Sequence, residues 1–107
     1  MNDTDREPTH PGALLREDVL PAAGLPVAEV ARRLRMSRQS LHRILAEDQP
    51  ITPATALKLA RLFGTTPDLW LNMQSARDLW EQRRTLVDDL ARITPLTGER
   101  RGPAATA

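Results

Sequence analysis

Residues 34–45 read LRMSRQSLHRIL. Ser37 stands where a helix begins, because its short hydroxyl side chain accepts a hydrogen bond from a free amide of the first turn. After it, Leu41, Ile44 and Leu45 share one face at the i, i+3, i+4 spacing of a helix packed on a core. The other face carries Arg38, Gln39, His42 and Arg43, which have the donors and acceptors that read base edges in a major groove. Just upstream, Val27, Val30, Ala31 and Leu34 form a second short apolar stripe. Two short helices, a tight turn between them and a second helix polar on its free side make a helix-turn-helix candidate.

Most charged helix faces are simply solvated. Local charge argues for more here. From Pro26 to Leu45 there are five arginines (Arg32, Arg33, Arg35, Arg38, Arg43) against Glu29, a local +4 in a chain of formal charge +1. An acidic or phosphate-bearing partner explains that concentration.

The chain has 107 residues, enough for one domain with a modest core. Its aromatic residues are Phe63, Trp70 and Trp80, so the core rests mainly on Leu, Val, Ile and Ala. There is no cysteine, which excludes a disulfide framework, a zinc ribbon and a thiol nucleophile. The N-terminal MNDTDREPTHPG has no apolar core of a signal peptide, and no run approaches membrane-spanning length. A cytoplasmic protein without membrane partners is the expectation.

Residues 1–8 are polar and acidic and are expected to form a flexible N-terminus, with the folded domain spanning 9–93. Pro11 fits the first turn of helix one, whose inner face is Leu14, Leu15, Val19 and Leu20, and which Pro21 and Gly24 end. Helix two runs from about Pro26 to Leu34 and helix three from Arg38 to about Ala46. Ile51 is an apolar plug after the loop AEDQP. Thr52-Pro53 announces helix four, with Ala56, Leu59, Ala60 and Phe63 inward and Gly64 as its stop. Thr66-Pro67-Asp68 repeats the start signal for helix five. No strand-like alternation occurs, so the fold is read as all-α with five helices.

Helix five is long, about 67–93. Leu69, Met73, Ala76, Trp80, Arg83, Val87 and Leu90 step by four and three in a heptad-like seam, with Leu79, Leu86 and Ile93 in a second row. Such a helix reaches ~39 Å, more than a domain this small needs. Its first turns pack on the core through Trp70 and Leu71. Its second half is read as a homodimer interface carrying Met73, Ala76, Trp80 and Val87. Residues 94–107 are read as a flexible tail.

Catalysis has little support. His10 and His42 lie in different elements without a carboxylate at ligand spacing; His10 reads as a helix-start residue and His42 as groove- or solvent-facing. Asp88 and Asp89 point about 100° apart on a helix and do not readily share a proton or metal. No enzyme activity, cofactor or metal is expected.

Residues 10–82 resemble the HigA-type antitoxins, a branch of the Xre/lambda-repressor-like helix-turn-helix proteins. The matching runs are HPGALLRED, VARRLRMSRQSLHRIL and ITPATALKLARLFGTTPDLWLNMQSARDLW, the last being the most specific. The resemblance implies a dimeric antitoxin that represses its own operon at operator DNA. It also implies neutralisation of a RelE/HigB-like toxin, an mRNA endonuclease. Arg38, Gln39 and Arg43 are then expected in the major groove, with Ser40 and His42 at its edge or on phosphates. Arg32 and Arg33 fall on phosphate, and the cap Ser37 completes the DNA-binding set. Three positions depart from the family pattern. Arg35 stands where glycine is common in the turn, and Pro26 where helix two usually has a hydroxyl cap. The loop Ala46-Glu47-Asp48-Gln49 brings two acids toward the expected phosphate path, which is expected to weaken affinity.

A basic toxin needs an acidic surface. From Met1 to Leu25 five acids face two arginines, a local −3. Glu17 and Asp18 on helix one are the candidate toxin contacts. Two other readings stay open: a solitary Xre-family transcriptional regulator without a toxin, and a helical interaction adaptor that does not bind DNA.

Overall fold

The structure, a computed structural model, describes residues 6–96. It is all-α among those residues. Helix α1 covers residues 11–23 as Pro11–Leu14, a π turn Leu15–Val19, and Leu20–Ala23. Then come α2 (Val27–Leu34), α3 (Arg38–Leu45), α4 (Pro53–Phe63), α5 (Pro67–Thr85) and α6 (Val87–Arg92).

The starts and stops are local chemistry. His10 caps α1, with Nδ1 accepting from the Gly12 amide at 2.9 Å. Thr52 and Thr66 cap α4 and α5, each followed by proline, and Gly24 and Gly64 end α1 and α4 in the left-handed conformation. Pro21 lies inside the last turn of α1 rather than ending it. Its ring has no amide to give and crowds the carbonyl four residues back. The π turn directly ahead, closed by the Leu20 amide on the Leu15 carbonyl, lets the helix pass it.

The core is aliphatic around one tryptophan. Leu15, Val30, Leu41, Ile44, Ala56 and Trp70 are fully buried, and Ile51 plugs the loop before α4 as expected. The Trp70 indole donates to Thr65 Oγ1 at 2.8 Å, so its one polar atom is satisfied. Ala60 and Phe63, read as fully inward, are half-buried at the edge of this cluster. Gly12 is where α1 meets α3: a Cβ there would lie 1.9 Å from the Ile44 carbonyl oxygen.

Two expectations change. The single helix 67–93 is broken at Leu86 (φ −97, ψ 13), giving six helices among the described residues rather than five. Hydrogen bonding continues on both sides, from Leu86 to Gln82 and from Leu90 to Leu86. Among the described residues beyond Trp80 only Leu86 is even half-buried, so the core does not hold the segment straight. Asp88 and Asp89 suit the positive start of a new helix. The second change is at the N-terminus. Residues 1–5 and 97–107 of the expected flexible ends lie outside the described residues, but Glu7 and Pro8 are tied down. Arg77 pairs with Glu7 at 2.8 Å and donates to the Pro8 carbonyl at 3.1 Å.

Candidate nucleic-acid interface

Helix α2 ends in a turn that the sequence makes costly. Arg35 takes φ 58, ψ 47, the left-handed region where a Cβ is disfavoured. The Met36 amide donates to the Ala31 carbonyl at 3.0 Å and the Arg35 amide to Arg32, which satisfies the helix end. Lys58 from α4 donates to the Arg35 carbonyl at 3.0 Å and fixes the far side of the turn. Pro26 precedes α2 in an extended conformation with no side-chain cap.

The turn delivers the chain to Ser37, whose Oγ accepts from the Ser40 amide at 3.0 Å. With Leu41, Ile44 and Leu45 buried, the opposite face of α3 is set. Arg38, Gln39, His42 and Arg43 are exposed on it, and Ser40 is half-buried beside them. Among the described residues, none of these four exposed side chains makes a hydrogen bond or ion pair. A row of unengaged donors on a capped, packed helix is preorganised to meet a partner's acceptors.

Arg32 and Arg33, expected on phosphate, are engaged within α2 itself. Both bond to Glu29, Arg32 through two nitrogens and Arg33 at 2.7 Å. Those hydrogen bonds, from Arg32 first and then Arg33, hold the Glu29 carboxyl at about 2. It therefore stays charged and offsets the two arginines nearest the expected phosphates.

The acidic loop also differs. Glu47 sits in the left-handed region (φ 65) and its side chain turns back into the molecule, pairing with Arg16 at 3.2 Å and approaching Arg77 at 3.9 Å. One of the two acids expected near phosphate is thereby paired within the molecule. Arg16 was not singled out in the sequence. Its guanidinium donates to the Leu45 carbonyl at the end of α3 at 2.6 Å, to Glu47, and to Glu17 at 2.8 Å. Of the two candidate toxin contacts, Glu17 is thus already paired, whereas Asp18 is exposed and has no bond among the described residues.

On α5, Trp80 is half-buried by its own chain. The Arg84 guanidinium lies 4.5 Å from its ring centroid and that of Arg77 5.8 Å. A cleft of about 500 Å³ opens between Arg6–Thr9 and Ala76, Leu79, Trp80 and Arg83. The Trp80 indole nitrogen is buried with no hydrogen-bond partner among the described residues. Met73 is half-buried, whereas Ala76 and Val87 are exposed.

Known proteins are similar in sequence and in structure. A family model described as a helix-turn-helix domain matches residues 12–71. The HTH-type transcriptional regulator YbaQ of Escherichia coli K12 is 36% identical over 95 residues, covering 87% of this chain and 84% of that protein. Antitoxin HigA-1 of Vibrio cholerae is 30% identical over 96 residues, covering 90% of each chain. The chain belongs to the HigA-type helix-turn-helix family. In structure it is similar to the Pseudomonas aeruginosa antitoxin HigA solved with the higBA promoter, with a TM-score of 0.78 and 31% identity over 84% of this chain and 99% of that one. HigA-type proteins are DNA-binding regulators rather than enzymes. No described helix is long and apolar enough to cross a membrane.

Proposed function

We propose that this HigA-type chain binds operator DNA as a homodimer in the cytoplasm, represses its own operon and neutralises a RelE/HigB-like mRNA endonuclease. The unengaged face of α3 carries the reading. In that reading Arg38, Gln39 and Arg43 enter the major groove, Ser40 and His42 contact its edge or phosphates, and Ser37 fixes the helix start. Arg32 and Arg33 reach phosphate from α2. The structural relative solved with its promoter supports the placement.

The homodimer uses the apolar strip that the chain leaves open. Leu79, Val87, Leu90 and Ile93 are between 49% and 65% exposed. Together with Met73, Ala76 and Trp80 they form the surface a two-fold mate covers. Two recognition helices are then set about one DNA turn, ~34 Å, apart. For the toxin, Asp18 and the Arg16-paired Glu17 form the acidic contact on α1.

Fluorescence anisotropy on the chain's own promoter tests the DNA reading. Replacing both Arg38 and Gln39 by alanine is expected to cost about 1–3 kcal/mol per lost base contact and to relax sequence preference. Unchanged specific affinity would remove α3 from the groove. Sedimentation of the free protein tests the dimer. Co-expression with the adjacent small open reading frame, scored by growth rescue, tests the toxin.

A further inference from the structure

A second cleft, of about 240 Å³, lies between the loop after α3 and the middle of α5. His10, Glu47, Asp48, Gln74, Asp78 and Glu81 line it. Two of its carboxylates are engaged: Glu47 by Arg16 and Arg77, and Glu81 by Arg77 at 2.9 Å. Asp48 and Asp78 have no ion pair among the described residues. Asp78 is held in place rather than neutralised. Gln74, 7% exposed, accepts from the Ile51 amide at 2.8 Å and donates to Asp78 Oδ1 at 3.0 Å.

His10 supplies an independent observation. It is 5% exposed and its Nδ1 accepts from the Gly12 amide, so in the neutral ring the proton lies on Nε2. Burial lowers its pKa, which favours that neutral form; among its neighbours Glu47, Asp78 and Glu81 act the other way and Arg77 with it. The Nε2 donor has no partner among the described residues, and the ring lines the cleft. The cleft therefore presents one unused N–H donor beside two unpaired carboxylates.

Few chemistries satisfy both. An anion would meet the carboxylates, and an apolar group would strand the imidazole donor. The acids are not grouped closely enough to hold a metal ion among the described residues. A peptide segment carries what is missing: a backbone carbonyl for His10, and a guanidinium or ammonium that reaches Asp48 and Asp78. We propose that this cleft docks an arginine- or lysine-bearing segment of a partner protein. Gln74 preorganises Asp78 for that contact, so little ordering remains for the moment of binding. The site would be a second contact beyond Glu17 and Asp18, and it rests on the reading that this chain meets a cation-rich protein. A probe peptide examines the cleft without that protein, so the two readings fail separately.

The probe is acetyl-Arg-Gly-Arg-Gly-Arg-amide, titrated into the full chain and followed by NMR, with the citrulline peptide as neutral control. Saturable shifts are expected at the His10 ring and the Gln74 side-chain amide, with no binding of the citrulline peptide. Asp48→Asn/Asp78→Asn is expected to weaken binding about tenfold, as loss of charge-assisted contacts implies. Asp48→Asn alone, which removes only the charge of a side chain that has no hydrogen bond or ion pair among the described residues, is expected to weaken it measurably with folding intact. Asp88→Asn/Asp89→Asn, at two exposed acids of α6 outside the cleft, is expected to leave it unchanged. The proposal is overturned if the wild type shows no saturable binding, if citrulline binds as well, or if the Asp88/Asp89 variant loses binding as much as the Asp48/Asp78 variant does.

Discussion

Arg16 on α1 donates to the backbone carbonyl of Leu45, the last residue of α3, at 2.6 Å. A cation at that end opposes the negative pole of the helix and satisfies a carbonyl that has no partner within the helix. The same guanidinium pairs with Glu47 in the next loop and with Glu17 on its own helix. Helix α3 is thus anchored at both ends, by Ser37 at its start and by α1 at its finish. A basic protein that captured Glu17 would compete with Arg16 for it, which places the α1 acids one side chain away from α3.

The close approach of α1 to α3 leads to a first prediction. Because a Cβ at residue 12 would lie 1.9 Å from the Ile44 carbonyl oxygen, Gly12→Ala forces backbone apart rather than a side-chain tip. Overpacking of this kind costs about 1–3 kcal/mol. Urea denaturation is expected to show a lower midpoint with an unchanged slope. A variant as stable as wild type would mean that the two helices separate freely.

Arg35 gives the opposite sign. Its left-handed conformation costs roughly 1–2 kcal/mol for a residue with a Cβ, and glycine removes most of that while freeing the unfolded chain. Arg35→Gly is expected to raise stability by up to about 1 kcal/mol, since the Lys58 bond goes to the backbone carbonyl and survives. Thermal unfolding would show it as a raised midpoint. A fall would assign the Arg35 side chain a stabilising role in the turn.

These two residues also show what a sequence discloses and what it conceals. The caps Ser37, Thr52 and Thr66 and the stops Gly24 and Gly64 act within a few residues, and each element start or stop they announce is present. The strained turn at Arg35 was legible for the same reason. What stayed hidden depends on distant partners. Arg16 reaches Leu45 across 29 positions and Arg77 reaches Pro8 across 69, and no periodicity encodes either. Glu47 read as a surface acid because its two arginine partners come from α1 and α5. The seam 69–90 was legible as an apolar pattern, yet the break at Leu86 was not, because it reflects the lack of tertiary support rather than any breaker residue. For the α3 face, the sequence carried the residue types. Only the packing of Leu41, Ile44 and Leu45 shows that Arg38, Gln39, His42 and Arg43 are unengaged.

Glu29 offers a test of the phosphate-facing arginines. Its carboxyl, held at about 2, stays ionised and keeps both Arg32 and Arg33 partly satisfied. Glu29→Gln leaves a neutral group of the same shape and releases them. Binding to all DNA sequences is expected to tighten, with the salt slope steepening by about one phosphate contact or more. Anisotropy at several salt concentrations on promoter and random duplexes measures both. Affinity that does not change with either duplex would place Arg32 and Arg33 away from the backbone.

The last prediction concerns acid. His10 caps α1 through a neutral Nδ1, and burial lowers its pKa in the folded chain, against the pull of Glu47, Asp78 and Glu81. The unfolded chain, with an ordinary histidine near 6.5, therefore binds a proton first as pH falls. Stability conferred by the neutral cap is fully present above that value, and it declines below it until the folded form protonates too. His10→Asn keeps an acceptor for the Gly12 amide without a titrating group. Between pH 7 and pH 5 the wild type is expected to lose more stability than His10→Asn, read as the difference in urea midpoints. Parallel pH profiles would show that the buried imidazole does not control this step.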